Sequence, residues 1–497
     1  MSHFIRKVKT ASGATAVQIV YRRGRLVSSI NHIGSAHNPK ELEFLIALAK
    51  KRMEAGQLSI KLFDDDDPDI YMEGAYSELL WDVLEDQYHK MGFGIIEDEV
   101  FKQLVLARII EPASKLDTIR VLEDLGLCAP SNSTIHRCLT RIVKDDYRSN
   151  LSECCLKRAT SLSLSLLLYD VTTLYFETQR EDDYRRPGLS KERRLEPQIT
   201  VGLLVGRDGF PLEVKSFEGN RAEVKTIMEV LDAFKSRHGL DDITITADAA
   251  MLSSTNINAL GDMGYHYIIG SRLAKTPWEV AEYMAEPGAI LKDGQIFESH
   301  ILINTGKKTR RTKRRVIYQY RVKRAHLDLR NIEKTLAKAQ SMMEGKAEFK
   351  RNRFLKVEGT RKQINHELVA EARRKAGIKG YVTDLRIPAQ EVIDSYHQLF
   401  EVERSFRMSK SDLKVRPIFH HKRDSIEAHL TVVFAALAIA RRIQAATGLS
   451  LKRFVQKLSV IRTGKVSING RSHRIPPLIQ GEIAEILDKL DSRGCGY

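Results

Sequence analysis

The spacing of apolar residues changes along the chain, and the change separates a helical region from a sheet. Between about residues 95 and 160, the segments DEVFKQLVLARII, LDTIRVLEDLG and STIHRCLTRIVKDD carry apolar residues every three to four positions, which predicts amphipathic helices. From Ser161 to Leu166 apolar and polar residues alternate ahead of LLYDVTTLYFE, and this period of two predicts a β-strand. We therefore expect a helical region followed by a sheet.

The sheet pattern continues through a series of short elements. QITVGLLVGRDG and FPLEVKSFEGN predict two strands joined by a turn at Asp208 and Gly209. AEVKTIMEVLDAFKSRHG then predicts a helix, DDITITADAAM a strand, STNINALGDMG a helix and YHYIIGSRL a strand. Antiparallel strands followed by alternating helix and strand are the order of an α/β, ribonuclease-H-like core with a mixed sheet.

A strongly basic segment interrupts this order. From Lys307 to Arg324 ten basic residues occur without an acidic one, in the hairpin-like pattern KKTRRTKRRVIYQYRVKR. We interpret the segment as part of a β-rich basic insertion, and we expect Arg311, Arg314 and Arg315 to contact DNA phosphates.

The sequence predicts six parts. A β-rich module at 1–90 is followed by a helical DNA-binding region at 91–160 and by the first part of the core at 161–274. The basic insertion at 275–378 then precedes the second part of the core at 379–445, which contains a helix from Gln390 to Leu413, and a C-terminal tail at 446–497.

The overall charge favours a polyanionic partner. The chain has 80 Lys and Arg against 64 Asp and Glu, a formal net charge of +16. The five cysteines contain no Cys-x-x-Cys pair, so no disulfide framework is expected. LTVVFAALAIA is too short to cross a bilayer, and MSHFIRKVKT lacks the apolar core of a signal peptide. We expect a cytoplasmic protein with no membrane span.

The last helix of the helical region has a polar face that could read DNA. His136, Arg137, Thr140 and Arg141 lie on one side, which resembles the recognition helix of a helix-turn-helix. Arg137 and Arg141 are therefore candidate DNA contacts, with a plain helical bundle as the alternative.

Two aspartates stand in matching positions of the predicted sheet. Asp170 and Asp248 each follow an apolar strand, at the end where α/β sheets place their ligands. When two carboxylates converge, a divalent cation is the usual compensating charge. The helix from Gln390 offers Glu403 as a third carboxylate.

Glu403 belongs to a polar stripe along that helix, whose other members occur at three-to-four spacing and are candidate DNA contacts: Tyr396, Arg407, Lys410 and Lys414. An i,i+4 ion pair between Glu403 and Arg407 is the simpler alternative.

Other chemistries find little support. His420, His421 and His429 lack the further ligand that would complete a zinc site, and no Gly-x-Ser-x-Gly or phosphate-loop motif occurs. We expect no nucleotide cofactor. Trp278 is a candidate for stacking on a displaced base, although core packing is the commoner role of a tryptophan.

The segments YDVTTLYFE, ADAAM and YHQLFEVERSFRMSKSDLKVRPIFHH together resemble the three catalytic blocks of the DDE transposases of bacterial insertion sequences, in the insertion-sequence-four superfamily. The third block of that superfamily carries a Tyr-x2-Arg-x3-Glu-x6-Lys signature. Tyr396, Glu403 and Lys410 match it, whereas Leu399 stands where Arg is usual. Arg404 or Arg407 can take the place of that arginine.

The resemblance implies that Asp170, Asp248 and Glu403 are catalytic and bind two Mg²⁺ ions, for which Mn²⁺ can substitute. It implies cleavage at the ends of an insertion sequence and strand transfer into target DNA, by a homodimer or higher homo-oligomer in a synaptic complex. The partners are double-stranded element ends and target DNA, and the location is bacterial and nucleoid-associated. The alternatives are a hydrolytic nuclease of the same fold and a DNA-binding regulator with an inactive core.

Overall fold

The structure is a computed structural model that describes residues 2–10, 13–23, 26–54, 70–160, 166–178, 180–188, 196–238, 243–249, 253–271, 273–304, 311–348, 351–358 and 361–492. The start of the predicted alternation at 161–165 and the basic residues at 307–310 lie outside these ranges.

A small antiparallel sheet begins the chain. Its strands are β1 (Ser2–Lys9), β2 (Thr15–Arg23) and β3 (Leu26–Ala36), and helix α1 (Pro39–Glu54) packs against them. Val17, Ile19 and Ala49 are buried between the sheet and the helix. Strand β4 (Ile70–Tyr76) follows and belongs to a different sheet.

Five α-helices come next: α2 (Glu78–Lys90), α3 (Glu99–Ile110), α4 (Lys115–Asp124), α5 (Asn132–Lys144) and α6 (Tyr147–Thr160). The predicted helices correspond to α3, α4 and α5, and α2 extends the helical region before residue 91. Helix α5 buries Ile135, Cys138, Leu139 and Ile142, whose spacing matches the helical period. Its opposite face is therefore left to solvent.

The centre of the molecule is an eight-stranded mixed sheet. In chain order its strands and the intervening elements are β5 (Leu166–Tyr175), β6 (Gln198–Gly206), β7 (Pro211–Glu218), α7 (Glu223–His238), β8 (Thr244–Ala247), α8 (Ser254–Asp262), β9 (His266–Ser271), α9 (Trp278–Ala285), β10 (Ile296–Asn304), β11 (Arg311–Tyr320), α10 (Val322–Met343), β12 (Leu355–Glu358), β13 (Arg361–Ile364), α11 (His366–Arg374) and β14 (Ile378–Thr383). The spatial order is β10-β11-β14-β9-β8-β5-β6-β7. Strands β5, β8 and β9 run parallel, and every other neighbouring pair is antiparallel.

The hairpin of the predicted insertion is part of this sheet. Strand β11 pairs with β14, and β10 pairs with β11, so the boundary predicted at residue 275 does not coincide with an edge of the sheet. The apolar end of β11, with Val316 and Ile317 fully buried, explains the pairing. Within the described part of the predicted insertion, α10, α11 and the β12–β13 hairpin do form a hydrophobic cluster of their own, around Ile332, Phe354 and Val369.

The helix predicted from Gln390 to Leu413 is two helices, α12 (Ala389–His397) and α13 (Phe400–Ser411). Leu399 N donates to Tyr396 O at 3.0 Å, and Val402 N donates to Leu399 O at 3.2 Å, so the backbone makes i to i−3 bonds at the junction. The apolar spacing could not reveal this tightened turn, because a three-to-four pattern fits both kinds of bond. Lys414 lies beyond α13 with a φ of 43° and is not on the helical stripe.

Helix α14 (Arg423–Thr447) is largely buried, and it packs against α3, α5, α13 and β7. Helix α15 (Leu451–Ser459), strands β15 (Thr463–Ile468) and β16 (Arg471–Ile475), and helix α16 (Glu482–Ser492) complete the chain. Among the described residues no single helix is long and apolar enough to span a bilayer, although α14 and α15, bent by 82° at their junction, reach that length and composition together.

The C-terminal tail is folded onto the beginning of the chain. Strand β15 pairs antiparallel with both β16 and β4, which gives a three-stranded sheet. Ser77, just after β4, also donates its hydroxyl to the carbonyl of Ser459 at 2.8 Å. The predicted parts 1–90 and 446–497 thus share one structural element.

Candidate active site

Asp170 and Asp248 lie at the same level of neighbouring parallel strands. The last paired residues of β5 and β8 are Tyr169 and Ala247. Asp170 is the next residue within β5, and Asp248 is the first residue after β8. Adjacent strands are about 4.8 Å apart, so the register sets the two carboxylates side by side. Strand β8 ends there as expected, whereas β5 continues to Tyr175 because it stays paired with β6.

Asp248 is held by two donors. Its Oδ1 accepts a hydrogen bond from the backbone N–H of Ala249 at 2.7 Å and another from the Tyr396 hydroxyl at 3.1 Å. Burial, and then the negative charge of Asp248, raise the pKa of Tyr396, so this hydroxyl remains a donor. Asp248 is exposed to solvent, which leaves the carboxylate accessible to a ligand.

Tyr396 itself is buried, with 3% of its surface exposed. Its ring packs edge-on against Tyr381, with ring centroids 4.9 Å apart. The sequence suggested that this side chain would contact DNA. In the structure, stacking on a base would require the ring to leave its pocket, whereas its hydroxyl already orients Asp248.

A glycine makes this contact possible. A Cβ atom at Gly270, on β9, would lie 2.6 Å from the Tyr396 hydroxyl oxygen and 3.1 Å from the backbone N of Ala249. Both contacts are tighter than ordinary packing allows. The absence of a side chain at position 270 therefore lets α12 bring Tyr396 to Asp248.

Lys379 is a member of the site that the sequence interpretation missed. Its Nζ lies 4.2 Å from the centroid of the Tyr396 ring, in a cation–π contact. Burial and the charge of Arg324 lower the pKa of Lys379, while the nearby carboxylates of Asp248 and Glu403 act in the opposite direction. Lys379 is therefore within electrostatic range of both carboxylates. A lysine inside an apolar strand, like the aspartate in LLYDV, was the signal that could have revealed it.

Helix α13 lies across β5 and contributes Lys410 to the same region. The Nζ of Lys410 donates a hydrogen bond to the Thr172 hydroxyl. Thr172 lies two residues after Asp170 and therefore on the same face of β5. Glu403 is exposed in the first turn of α13, seven residues before Lys410 and thus about two turns away.

The neighbouring Glu401 has a different environment. Its carboxylate pairs with Arg404 at 2.9 Å and with Arg441 at 2.8 Å. Both ion pairs line a cavity of about 660 Å³ near the start of β5 and the β6–β7 turn, whose lining includes neither Asp170 nor Asp248. Glu401 is therefore a structural ion-pair residue, whereas Glu403 is exposed and its charge acts on Lys379.

The donor chemistry fits hard divalent cations, which prefer carboxylate oxygens. Asp170 and Asp248 supply adjacent carboxylates, and Glu403 lies near the same lysine as Asp248. In the described part of the chain, however, no three His, Cys, Asp or Glu side chains are close enough together to hold one ion. Of the three predicted carboxylates, Asp170 and Asp248 are thus the two that the strand register brings together.

A cavity of about 690 Å³ opens beside Asp248 and Lys379 and extends to α10 and α11. Arg324, Arg353 and Lys375 also line it. Lys375 donates to the carbonyl of Ala274 at 2.7 Å. The cavity therefore links Asp248 to a wall that carries these basic residues together with two acids, Asp328 and Glu371.

The two arginines predicted on α5 differ in their contacts. Arg137 is exposed, and among the described residues its side chain donates only to Thr134, at 3.2 Å. Arg141 binds Asp98, the N-cap of α3, through Nη2 at 2.6 Å and Nε at 2.9 Å. Arg137 is thus available to a ligand, whereas the guanidinium of Arg141 is engaged in an ion pair within the helical region.

The other residues predicted to contact DNA also differ in their exposure and in their partners within the protein. Arg315 pairs with Glu298 at 2.9 Å and donates to the carbonyl of Ile387 at 2.7 Å. Arg311 begins β11, and Arg314 is half-buried on that strand. Arg407 is exposed on α13. Trp278 is 72% exposed, so the alternative of core packing is wrong, and stacking on a displaced base stays a prediction.

Residues 162–439, more than half of the chain, match the family model described as Transposase DDE domain. No curated protein sequence matches the chain. The chain resembles a piggyBac transposase synaptic complex with hairpin DNA at 9% identity over 83% of this chain and 74% of that chain, with a TM-score of 0.37. It resembles a Mos1 transposase paired-end complex with the left transposon end at 14% identity, over 46% of this chain and 68% of that chain, with a TM-score of 0.16. Both TM-scores are too low to support an argument, so the assignment depends on the family match.

Proposed function

Because the chain belongs to the family of transposases with a DDE domain, we propose that it cleaves DNA at the ends of a mobile element and joins the freed 3′ ends to target DNA. The observation that carries this proposal is the shared level of Asp170 and Asp248 on β5 and β8. Adjacent carboxylates are the donor set that divalent ions use in phosphoryl transfer.

We propose a ribonuclease-H-like core for this enzyme. Strands β7, β6 and β5 are antiparallel neighbours, and β8 and β9 continue the sheet parallel to β5. Helix α7 connects β7 to β8, and α8 connects β8 to β9. This arrangement agrees with the order inferred from the sequence and supports the assignment.

Asp170, Asp248 and Glu403 are proposed to hold Mg²⁺ or Mn²⁺ ions, which would activate the attacking water or 3′-hydroxyl and stabilise the leaving oxygen. Tyr396 is a positioning residue, because its hydroxyl fixes the orientation of Asp248. Lys379 offsets the mutual repulsion of Asp248 and Glu403 in the metal-free protein.

Lys410 and Arg407 are proposed to bind phosphates near the cleaved bond. Lys410 is tied to Thr172 on the face of β5 that carries Asp170, and Arg407 is exposed on the same helix. A lysine ammonium binds a phosphate as a point charge. The cavity beside Asp248, with Arg324, Arg353 and Lys375 among its lining residues, offers a path for the DNA strand that leads away from this bond.

Membership in the insertion-sequence-four superfamily is the finer proposal. Its support is the spacing of Tyr396, Glu403 and Lys410, and Leu399 is the departure. Arg404 is engaged by Glu401, so Arg407 is the better replacement for the missing arginine. A bacterial element and a nucleoid-associated, cytoplasmic location would follow from that membership.

One assay separates the proposal from its two rivals. The full chain is incubated with Mg²⁺, DNA that carries both flanks of its gene, and a target plasmid. Cleaved ends joined to the plasmid support a transposase, cleavage without joining supports a nuclease, and binding alone supports a regulator. Asp248→Asn is the catalytic control, because it should remove a metal ligand while preserving the fold and DNA binding.

Action on both element ends implies at least two protomers in one synaptic complex. The mass of the protein with paired-end DNA and without it would test this directly. A monomer on paired ends that are fully cleaved would contradict the proposed assembly.

A further inference from the structure

The three-stranded sheet at the start of the chain has two different faces. Val17 and Ile19 of β2 pack with Ala49 of α1, so the helix covers one face. Because successive side chains of a strand point to opposite faces, Gln18 and Val20 lie on the other one, which we call the outer face. The strand register and this alternation place five further residues on the outer face: Phe4, Arg6 and Val8 of β1, Arg22 of β2 and Ile30 of β3.

Helix α4 covers one end of the outer face. His32 of β3 contacts the carboxylate of Asp124 through Nε2, and Ser35 donates its hydroxyl to the same carboxylate at 2.7 Å. These contacts attach the sheet to the helical region. The other end of the outer face stays accessible, because Phe4 is 37% exposed and Ile30 is 47% exposed.

This part of the chain is strongly basic. Residues 1–40 contain no Asp or Glu, although the whole chain has 64 acidic residues in 497, about one in eight. The same forty residues contain seven Lys and Arg, which are Arg6, Lys7, Lys9, Arg22, Arg23, Arg25 and Lys40. A surface with charges of one sign attracts a polyanion.

The two arginines of the outer face are held by uncharged neighbours. Arg6 donates to the side-chain oxygen of Gln18 from Nη2 at 2.6 Å and from Nε at 3.1 Å. The guanidinium of Arg22 lies 4.8 Å from the centroid of the Phe4 ring, in a cation–π contact. Both arginines are exposed, and neither forms an ion pair with another described residue. Their charges are thus oriented without being neutralised, which favours an anionic ligand.

The apolar side chains beside these arginines favour duplex DNA as that ligand. The major groove is about 12 Å wide, and three adjacent strands span about 10 Å from the first to the third. The edge strand β1 can therefore enter the groove, where apolar groups such as Phe4 and Val8 contact thymine methyl groups. The outer face thus combines groups that bind phosphates with groups that contact bases.

We propose that the outer face of the β1–β3 sheet binds duplex DNA, with Arg6 and Arg22 on backbone phosphates. Phe4, Val8 and Ile30 then contact the groove. This inference rests on the proposed function, because DNA is then the ligand of the whole chain. It assigns a DNA surface separate from α5 and from the catalytic aspartates. Since the sheet is attached to α4, it would hold the duplex beside the helical region.

The first test measures how duplex binding by the full chain depends on salt, without divalent ions so that no cleavage occurs. Arg6→Gln and Arg22→Gln should each reduce the slope of log affinity against log salt by about 0.9, the value for one phosphate contact. Arg6→Lys should keep the wild-type slope, because it keeps the charge. Lys50→Gln, on the exposed surface of α1, is the matched control and should also keep it. Unchanged slopes in both glutamine variants would overturn the proposal.

The second test addresses the apolar residues. Phe4→Ala and Ile30→Ala remove no charge, so each should weaken binding by the same factor at every salt concentration and leave the slope unchanged. Both side chains are partly exposed, so the melting temperature should stay near that of the wild type. Wild-type affinity in both variants would overturn the groove contact.

Two comparisons identify the ligand and separate this inference from the proposed function. A basic face with apolar residues also suits an anionic membrane, so vesicles of phosphatidylserine and phosphatidylcholine are the competing probe. Vesicle binding that Arg6→Gln abolishes, with an unchanged DNA slope, would overturn the proposal. Cleavage and joining by the wild type, with unchanged slopes in both glutamine variants, would contradict this inference alone. Reduced slopes in a protein that never cleaves DNA would support this inference and contradict only the proposed function.

Discussion

The hydroxyl of Tyr396 donates a 3.1 Å hydrogen bond to Asp248, and this bond connects the helix α12 to the end of β8. A carboxylate proposed to bind a metal is thereby oriented by a residue 148 positions later in the chain. Groups that orient metal ligands affect both metal affinity and activity.

Tyr396→Phe should therefore reduce DNA cleavage without unfolding the protein. Loss of an orienting hydrogen bond typically costs about 10-fold to 100-fold in activity or metal affinity. Tyr381→Phe is the matched control, because its hydroxyl reaches only His397, at 3.4 Å, and its ring can still pack against Tyr396. Single-turnover cleavage at saturating DNA would measure the difference, and equal rates for the two variants would contradict the positioning role.

Gly270→Ala should damage the same contact from the other side. The added methyl group would lie 2.6 Å from the Tyr396 hydroxyl oxygen, so α12 or Asp248 must shift, at a cost of about 1–3 kcal/mol. Gly261→Ala in α8 meets nothing within 4 Å and should be neutral or slightly stabilising. Chemical denaturation and cleavage rates of both variants test this, and full activity in Gly270→Ala would refute it.

Lys379→Met should change the metal requirement. The ammonium group competes with cations for Asp248 and Glu403, so its removal should lower the Mg²⁺ concentration that gives half-maximal cleavage. Lys375→Met is the control, because Lys375 lines the same cavity but binds backbone carbonyls. A Mg²⁺ titration of cleavage compares them, and identical midpoints would exclude the proposed competition.

Glu401→Ala should reduce the stability of the protein, whereas Glu403→Ala should reduce its DNA cleavage. Glu401→Ala leaves the buried Arg441 without its carboxylate, which should cost about 3–5 kcal/mol of stability. Glu403→Ala removes an exposed acid and should abolish cleavage while the melting temperature stays near that of the wild type. If Glu403→Ala cleaved DNA normally, the choice of Glu403 as the third carboxylate would be wrong.

Arg141→Ala should reduce stability in a pH-dependent way. Burial opposes ionisation of Asp98, but the hydrogen bonds from Arg141, Phe101 and Tyr147 prevail and lower the pKa of Asp98. A lowered carboxyl pKa contributes stability above its ordinary value near 3.8, and that contribution disappears as the pH falls through the folded value. The loss should be about 1 kcal/mol at pH 7 and should vanish in strong acid.

Arg137→Ala serves as the control for that experiment. Arg137 is exposed on the same helix, so its removal should leave stability unchanged and weaken DNA binding. Urea denaturation at several pH values, together with DNA binding at fixed salt, separates the two arginines. A pH-independent loss in Arg141→Ala would contradict the role assigned to Asp98.

Local patterns were sufficient to predict much of the core. The alternation around Asp170 and Asp248 indicated two strands, and the three-to-four spacing indicated α3, α4 and α5. The register that sets the two aspartates side by side follows from β5 and β8 being parallel neighbours. Because each of these features depends on short stretches or on a common topology, the sequence contained enough information for them.

The features that the sequence analysis did not predict all depend on contacts between residues that are far apart in the sequence. Lys379 joins the site only because β14 lies against β9, and Tyr396 is buried only because Gly270 gives it room. The basic hairpin resembled an insertion because charge dominates its composition, while Val316 and Ile317 determine its place in the sheet. Periodicity describes one segment at a time and cannot specify such partners.

The pairing of β4 with β15 has a consequence for how the protein is made. Tyr76 and Thr463 are partners in that sheet, so β4 leaves the ribosome almost four hundred residues before the strand that completes it. At roughly 5–20 residues per second, this is a wait of about 20–80 seconds. Any product that stops short of β15 would keep β4 as an unpaired edge, which favours aggregation. Synthesis through β15 is thus a condition for completing the sheet to which β4 belongs.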